Sequence, residues 1–408
     1  MTISGLHGPL FAILAMLPVP SAAAILLGSD LQGLSVFSNT AITAGAGARV
    51  YGSLMAGDVA TAGAGSSVHG HYTSGGASVI GADGVTIGGN VNAGGAVTVG
   101  EATTIHGDVT TGAAATLGAG ATINGDVNAA AAVTVGAASA VAGSVRAGAA
   151  ATIGADATVA GTVGAVAAIT QGAGSQVGGM HALASPPVES AAYAAALADR
   201  VGVIRTQVVA AQTGFAAMVA TGALTPLMTS DTTLLSGVYS ASSLSTTAGT
   251  TLTLDGQGRV GQVWVFNIAD SLTTGANTNI VLIGGATANS IIWNTGSYAS
   301  LGADSRLLGT LLSGGYISIG ANTQVTGVGG TCGGAFSAAS YVTAAAGATV
   351  GAEGCSGIDR GSASPPASPR LLPDGNAVPE PSTWALLLAG FAMVGRAMRR
   401  AGMRQVTA

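Results

Sequence analysis

The sequence feature that most constrains this chain is an eighteen-residue repeat that runs from about residue 42 to residue 179. In each repeat a marker glycine stands two residues after a β-branched residue. Six of these glycines recur at the full period of the repeat: Gly89, Gly107, Gly125, Gly143, Gly161 and Gly179. Gly52 and Gly70 extend the series upstream, and the step from Gly70 to Gly89 is longer than the others by a single residue. A fixed period of this kind is the signature of a solenoid, in which each repeat stacks on its neighbours.

Each repeat divides into three hexads, which predict the shape of a turn. Apolar residues such as Val99 and Ile105 begin two of the hexads, and a small or polar residue such as Thr111 begins the third. Three sides of six residues predict a triangular β-helix with one short strand per side, its branched side chain inward and the neighbours outward. We therefore predict an all-β solenoid of about 18 residues per turn. These turns resemble hexapeptide repeats, which favour a left-handed coil, and bactofilin-like repeats, which are right-handed, so the hand stays open.

Composition and motifs argue against several classes of protein. The formal net charge is −5 and charged residues make up 7% of the chain, so no basic surface for nucleic acid is expected. No serine elbow, carboxylate pair or phosphate loop is evident, and His69, His71 and His106 lack a third metal ligand. We predict a protein that is not an enzyme and holds no cofactor or metal. A hexapeptide acyltransferase is the enzymatic alternative, but it needs a cytoplasmic donor, and the ends of the chain argue for export.

The N-terminal residues predict a signal peptide over residues 1–24. The apolar run 10–17 has the length of a hydrophobic region, Pro18 and Pro20 interrupt it, and small residues follow at 21–24. The segment before this run contains no lysine or arginine, so an uncleaved apolar tail is the alternative. The repeat solenoid then occupies residues 25–181.

The repeat ends at Pro186 and Pro187, and the pattern beyond predicts a long helix within residues 182–222. A helical stripe lies within residues 188–218: Tyr193, Leu197, Val201, Ile204 and Val208. Many alanines in this segment raise its helix propensity. One amphipathic helix among β-repeats should pack alongside the solenoid.

Residues 223–355 return to strand-like sequence and predict a second β-helical block. The hexad pattern reappears with Thr278, Ser305 and Thr323 at equivalent positions. The aromatic residues of this block predict a larger core: Trp264, Phe266, Trp293, Tyr298 and Tyr316. Cys332 and Cys355 lie at the end of the block, where a disulfide is favoured over two buried thiols because export is predicted.

Residues 235–330 resemble the C-terminal portion of the ice-binding protein domain of bacteria, polar microalgae and fungi. The resemblance rests on motifs in a specific order: Leu235-Ser236-Gly237-Val238-Tyr239, Leu252-Thr253-Leu254-Asp255-Gly256-Gln257-Gly258, Val263-Trp264-Val265-Phe266-Asn267-Ile268, Ile292-Trp293 and Leu308-Gly309-Thr310-Leu311-Leu312. It implies a right-handed β-helix with one long helix alongside. The N-terminal repeats are a departure, since the family usually has fewer turns there.

The C-terminal part of the chain predicts a linker and a sorting segment. Residues 356–378 are rich in Ser, Pro, Gly and Ala, as flexible linkers are. Residues 379–408 contain Pro379, Glu380 and Pro381, an apolar stretch at 384–394 and a basic tail. This order resembles the PEP-CTERM sorting signal of exopolysaccharide-producing Gram-negative bacteria. It implies transient insertion in the inner membrane and processing by an exosortase; a permanent single-span anchor is the alternative.

Threonines at a fixed position in the repeat suggest a function. Seven of them lie nine residues before a marker glycine: Thr43, Thr61, Thr98, Thr116, Thr134, Thr152 and Thr170. Stacked turns place them in one column at strand spacing, about 4.8 Å. A partial second column contains Thr86, Thr104, Thr122 and Thr158. Threonine also suits any exposed strand and stabilises stacked strands by cross-strand pairing, so β-propensity is the alternative explanation of the columns.

Two functions follow from these observations. The first is binding of ice or ordered water by an exported protein, with a flat face of hydroxyl and methyl groups as the site. The candidate residues are Thr98, Thr116, Thr134, Thr152, Thr170, Thr278, Ser305 and Thr323. The second is a structural or adhesive role at the cell surface or in the exopolysaccharide matrix. The flanks of the columns read Thr-x-Gly instead of the paired Thr-x-Thr usual in the ice-binding family, which weighs against the first.

Overall fold

A computed structural model describes residues 27–355 and 357, except residues 82, 260–261, 287–290 and 328–331. The predicted signal peptide, the linker apart from Gly357, and the sorting motif Pro379, Glu380 and Pro381 lie outside the described residues. Among the residues described, no helix is both long enough and apolar enough to cross a membrane.

The first block begins with a short 3-10 helix, Ser29–Leu31, and continues as strands β1–β23. Their bounds are Leu34–Ser38, Ile42–Ala44, Arg49–Val50, Ser53–Ala56, Ala60–Ala62, Ser67–Val68, Tyr72–Ser74, Ser78–Ile80, Thr86–Ile87, Val91–Ala93, Val97–Val99, Thr104–Ile105, Val109–Thr111, Ala115–Leu117, Thr122–Ile123, Val127–Ala129, Val133–Val135, Ala140–Val141, Val145–Ala147, Ala151–Ile153, Thr158–Ala165, Ile169–Gln171 and Gln176–Ala182.

A single long helix, α1 (Ser190–Ala216), separates this block from strands β24–β41 of the second block. Their bounds are Gly222–Ala223, Leu227–Met228, Thr232–Leu235, Gly237–Ala241, Leu244–Thr246, Thr251–Asp255, Trp264–Ile268, Leu272–Thr273, Asn279–Ile283, Ile291–Thr295, Ala299–Leu301, Arg306–Leu308, Thr310–Ser313, Ile317–Ile319, Gln324–Thr326, Gly334–Ser337, Val342–Ala344 and Thr349–Val350.

The strands stack in parallel into the three faces of a β-solenoid with one long helix alongside, as predicted. Fourteen strands form one sheet, which we call the threonine face, in the order β22-β20-β17-β14-β11-β8-β5-β2-β40-β37-β34-β31-β28-β25. The other 27 strands form the two remaining faces, which join where β21 and β23 bend round a corner. The helix face carries α1 on its outer surface, and the third face contains the short strands such as β12 and β15.

The two blocks are one continuous solenoid, because the first turn of the chain stacks on the last turn of the second block. β1 lies between β4 and β39, where Val36 pairs with Leu54 on one side and Ala335 on the other. On the other two faces, β2 pairs with β40 and β3 with β41. The described part of the chain therefore starts in the middle of the stack and runs to one end at residue 182. It returns through α1, resumes at the opposite end at residue 222, and runs back to this seam.

Helix α1 packs along the helix face through the predicted stripe. Tyr193, Leu197, Val201, Ile204 and Val208 are all buried, and the stripe continues to Ala211 and Phe215. The C-terminal half of α1 contacts apolar residues of both blocks: Phe37, Met55, Val265, Ile292, Leu312 and Phe336. A helix of 27 residues is about 40 Å long, which matches the roughly 38 Å spanned by the nine stacked strands from β13 to β30.

The core of the second block is larger than that of the first. Trp264, Phe266 and Trp293 are fully buried there, with the rings of Phe266 and Trp293 stacked 4.0 Å apart. The first block fills its interior with Val, Ile and Ala, because each of its turns uses a single short repeat. In the second block, Thr273 pairs with Ser300 on the adjacent strand, so the turn between them is half as long again as a repeat of the first block and encloses more side chains.

The predicted disulfide between Cys332 and Cys355 is present, with the two Cα atoms 5.7 Å apart. It closes a loop that contains β39, β40 and β41, the three strands on which the first turn of the chain stacks. The disulfide therefore fastens the second block at the seam.

Candidate functional site

The threonine face carries one unbroken column of outward residues, one from each of its fourteen strands. In stack order they are Thr170, Thr152, Thr134, Thr116, Thr98, Val79, Thr61, Thr43, Thr343, Ser318, Ser300, Thr273, Ser245 and Leu227. Nine are threonines and three are serines. At about 4.8 Å per strand, the column is about 62 Å long. The seven threonines predicted to stack are all in it, and the column continues across the seam.

Strand alternation points these hydroxyl groups outward. In β14 the neighbours Ala115 and Leu117 are buried at 1% exposure, whereas Thr116 between them is exposed. The same buried-exposed-buried pattern holds for β11, β17 and β20. Threonine is β-branched and has a restricted χ1 angle, so each hydroxyl and methyl group is held in few orientations.

The positions beside the threonines are small in the first block. On one side stand mainly alanines, whose carbonyls accept backbone N–H groups of the preceding turn, as Ala132 does from Ala115 at 3.0 Å. On the other side stand glycines, and their backbones lie so close that a Cβ atom at Gly118 would be 2.7 Å from the carbonyl carbon of Gly100. The threonine side chains therefore project beyond the small alanine and glycine residues on either side of the column.

The threonine face is also free of charge and of irregular pairing in the part the structure describes. None of the outward residues in its central column or in the two flanking columns is Asp, Glu, Lys or Arg. None of its strand pairs has a register shift, unlike the pairs β1–β4 and β21–β23 of the other faces. Such a surface presents evenly spaced polar and apolar groups to water.

The other two faces offer no comparable surface among the described residues. Helix α1 covers much of the helix face, and the third face carries the exposed charges of Arg49 and Arg306. The partial second column of Thr86, Thr104, Thr122 and Thr158 lies on this third face, interrupted by Ala140. The two threonine columns are thus on different faces of the solenoid.

The histidines considered as metal ligands have structural contacts. The ring of His69 stacks on Tyr51, with the ring centroids 4.4 Å apart. Nδ1 of His71 accepts the backbone N–H of Asn90 at 3.0 Å. No cluster of three metal-ligating side chains occurs in the part of the chain that the structure describes.

Three of the predicted ice-binding residues are not on any outer face. Thr278, Ser305 and Thr323 are buried at 2%, 5% and 0% exposure, so the expectation that they contribute to the surface is wrong. Each follows a residue with positive φ, namely Asn277, Asp304 and Asn322, and therefore belongs to a corner. Their hydroxyls bond inward: Thr278 donates to the Gly275 carbonyl at 2.8 Å, and Thr323 to the Gly302 carbonyl at 2.6 Å.

The residues that hold the equivalent outward positions in the second block were missed by sequence reasoning. They are Leu227, Ser245, Thr273, Ser300, Ser318 and Thr343, each at the centre or end of a short strand. The signal that identifies them is the preceding strand residue, because Ala299 and Ile317 are the inward apolar positions of the hexad.

A second missed feature is a ladder of tyrosines beside this part of the column. Tyr298, Tyr316 and Tyr341 take the place of the flanking alanines, and their rings stack at 4.8 and 5.3 Å between centroids. Tyr298 and Tyr316 therefore contribute to the surface and not to the core, contrary to expectation. The threonine face has two sections: eight strands of the first block flanked mainly by alanine, and six strands of the second block, three of them flanked by tyrosine.

The fold and this face define a parallel β-solenoid with an uncharged, hydroxyl-bearing surface. Comparison with known families gives two matches: residues 182–346 match the family described as Ice-binding-like, and residues 377–401 match the PEP-CTERM protein-sorting motif. The chain is thus similar to the Ice-binding-like family over residues 182–346 and to the PEP-CTERM sorting motif over residues 377–401.

Two curated relatives are named for ice binding. The chain is 35% identical over 103 residues to Ice-binding protein 1 of Shewanella frigidimarina (strain NCIMB 400), a match that covers 25% of this chain and 12% of that protein. It is 38% identical over 120 residues to the Ice-binding protein of Nostoc sp. (strain HG1), covering 29% of this chain and 42% of that protein. The chain thus spans less than half the length of either relative.

Solved structures of ice-binding proteins are also similar. The protein of the Antarctic ascomycete Antarctomyces psychrotrophicus is 24% identical, with 56% of this chain and 93% of that chain covered and a TM-score of 0.33. An ice-binding protein from an Antarctic biological consortium is 15% identical, with 86% and 97% covered and a TM-score of 0.41.

Proposed function

We propose that this chain is an exported, non-catalytic protein that binds ice or ordered water through the threonine face. The observation that carries the proposal is the register of the outward column: from Thr170 to Ser245, twelve of thirteen successive strands present a hydroxyl-bearing residue at strand spacing over about 58 Å. Ice is a periodic array of water molecules, so a periodic protein surface can contact it at many points at once. The names of the relatives support the same function.

The chemistry of the face suits a layer of ordered water. Each hydroxyl can donate one hydrogen bond and accept others, and each methyl group favours ordered water around it. A charged side chain would instead orient nearby water toward itself, and none stands among the outward positions described for this face. Because the strands are locked in parallel register, the groups need little reorganisation on binding, which lowers its entropic cost.

The section from Thr43 to Thr170 is the better contact surface. Here threonines stand above alanine and glycine flanks, whereas Ser300 and Ser318 are shorter side chains beside the larger rings of Tyr298 and Tyr316. A planar ice surface can approach the first arrangement more closely. We therefore assign the contact to Thr98, Thr116, Thr134, Thr152 and Thr170, together with Thr43 and Thr61.

The sorting motif supports a location outside the cytoplasm. A PEP-CTERM motif implies export and an exosortase-type enzyme as processing partner, with the C-terminal segment transiently in the inner membrane. With the predicted signal peptide, the motif favours the surface of a Gram-negative bacterium or its surroundings, where ice forms. A structural or adhesive role in the exopolysaccharide matrix uses the same location and is the alternative outcome of the test below.

Ice recrystallisation inhibition and thermal hysteresis test the proposal. The wild type is compared with Thr116→Lys/Thr134→Lys on the threonine face and with a matched control, Thr104→Lys/Thr122→Lys. The control residues also lie on adjacent strands in register, but on the third face. We expect the first pair to abolish most activity and the control to retain it. An inactive wild type with an intact fold by circular dichroism would reject ice binding and leave the matrix role.

A further inference from the structure

Both ends of the solenoid are open sheet edges. β22 and β25 are the end strands of the threonine face. On the other faces, β23 pairs only with β21 among the described strands, and β24 and β26 pair only with β27 and β29. An edge of this kind presents a row of unpaired backbone N–H and C=O groups, which another strand can take up.

The end formed by residues 166–182 exposes the core as well as the backbone. Ile169 and Val177 point inward but are only partly buried, whereas Ala151 and Val159, the equivalent residues one turn earlier, are 0% and 1% exposed. Val166 and Met180 are exposed at 39% and 53%. In the part of the chain that the structure describes, no turn or helix covers this end.

The sequence of this end lacks the usual protection against pairing. Sheet edges are commonly blocked by charged side chains or by proline. Residues 163–183 contain no Asp, Glu, Lys, Arg or Pro. Solenoids that stay monomeric generally need a polar capping turn at each end.

The seam inside the molecule shows that turns without a direct covalent connection stack in this fold. There the turn at residues 34–50 docks on the turn at 334–350 through three parallel strand pairs, one on each face. Every turn has two sides, one directed toward the end of the stack at residue 182 and the other toward the end at residue 222. At each junction between turns, a side of the first kind contacts a side of the second kind. The two open ends of the stack are these same two complementary sides.

We propose that copies of this chain stack end to end, with the turn at residues 166–182 of one copy pairing in parallel with the turn at 222–235 of the next. Thr170 then lies beside Leu227 of the neighbour, and the threonine face continues from copy to copy. Helix α1 does not obstruct this junction, because its contacts lie between Ala130, beside β16, and Val238 on β27, and the end strands β23 and β24 lie beyond them. A head-to-tail contact does not close on itself, so the product is a filament.

The test uses the full-length chain in mild detergent, with masses measured by mass photometry and sedimentation velocity. One variant, Val166→Lys/Met180→Lys, places charges on the first end. A second, Leu227→Lys/Leu235→Lys, places them on the other end, where both residues are exposed at 54% and 46%. The control Val203→Lys/Val209→Lys places the same charges on the exposed surface of α1. The wild type and all variants keep the apolar C-terminal stretch. Any association through that stretch would therefore be the same in all of them and cannot account for a difference between them.

We expect the wild type and the control to form a concentration-dependent series of multiples of the 38.7 kDa chain. Each end variant alone should be monomeric, and an equimolar mixture of the two should form dimers and nothing larger, because each retains one working end. A wild type that stays monomeric overturns the proposal, as does an end variant that associates like the control. Dimers of the second variant alone would show pairing of like ends and also overturn it. If a lysine pair unfolds the chain, glutamates at the same exposed positions replace it.

Discussion

Val79 lies directly opposite Thr98 across the β8–β11 pair of the threonine face. On its other side it pairs with Thr61, so it is the one outward residue without a hydroxyl between Thr43 and Thr170. The turn that contains it also contains the single lengthened step of the repeat, between Gly70 and Gly89. The column of hydroxyl groups in the first block is thus interrupted at a single rung.

Replacing this residue should improve ice binding. Val79→Thr keeps the β-branched shape and adds the missing hydroxyl, so seven threonine rungs become eight in a row. We expect higher thermal hysteresis than in the wild type at equal concentration and an unchanged melting temperature within about 2 °C. The control Val79→Ala shortens the side chain without adding a hydroxyl and should lower activity. Equal activity of the threonine and alanine variants would contradict the hydroxyl argument.

The two sections of the face should differ in their tolerance of charge. Thr116→Lys/Thr134→Lys disrupts the alanine-flanked section and should weaken ice binding. Each loss of about 1.4 kcal/mol of binding free energy lowers the affinity roughly tenfold. Ser300→Lys/Ser318→Lys changes two adjacent rungs beside the tyrosine ladder. We expect the serine pair to retain most of the ice recrystallisation inhibition. Equal losses in the two variants would place the ice contact over the whole face.

Replacing Tyr72 with phenylalanine should stabilise the protein. Its side chain is fully buried and its hydroxyl has no hydrogen-bond partner among the described residues. Removing a buried unsatisfied hydroxyl relieves a desolvation cost, so Tyr72→Phe should raise the free energy of unfolding by about 1 kcal/mol. Tyr193→Phe is the matched control, since that hydroxyl donates to Oδ1 of Asn92 at 3.0 Å, and it should destabilise by about 1 kcal/mol. Urea unfolding measures both, and a destabilised Tyr72→Phe would contradict this account.

His71 should make stability fall at mildly acidic pH. Burial, and to a smaller extent the nearby charge of Arg200, lowers the pKa of His71 below its usual value of 6.5. The unfolded chain therefore takes up the proton first as the pH falls below 6.5, and the free energy of unfolding decreases until the pH reaches the lower folded pKa. The neutral ring is also needed because Nδ1 accepts the N–H of Asn90.

The variant His71→Asn isolates this contribution. Asn90 already shows that an asparagine can serve at this corner position, since its Oδ1 accepts the N–H of Asp108 at 3.0 Å. We expect the variant to unfold with a shallower pH dependence than the wild type in the mildly acidic range below the usual histidine pKa, by urea titration. Identical slopes for the two proteins would show that His71 does not titrate with unfolding.

Local periodicity predicted much of this structure. The stripe of Tyr193, Leu197 and Val201 located α1, and the spacing of Thr98 and Thr116 located the column, because helices and stacked turns repeat at fixed intervals along the chain. The seam could not be predicted in this way. The pairing of Val36 with Ala335 joins residues near opposite ends of the described chain, and no periodic signal in the sequence connects them.

In the second block, the sequence pattern predicted surface positions for residues that are buried, and the reason is the geometry of the corner. Thr323 follows Asn322, a residue with positive φ, and the turn directs its hydroxyl inward to the Gly302 carbonyl. The same sequence pattern in the first block holds Ala121 and Ala157, which are also buried. A polar residue at this corner suggests a surface position, although the equivalent alanines identify the position as an inward one.

Direct binding to a single ice crystal tests the central claim most simply. The wild type, Thr116→Lys/Thr134→Lys and Thr104→Lys/Thr122→Lys are each labelled with a fluorophore on an exposed residue of α1 and presented to a slowly growing ice surface. The account predicts that the wild type and the third-face variant are incorporated into ice on the same crystal planes, while the threonine-face variant stays in the liquid. Incorporation of all three to the same extent would contradict the assignment of the threonine face as the ice-binding surface.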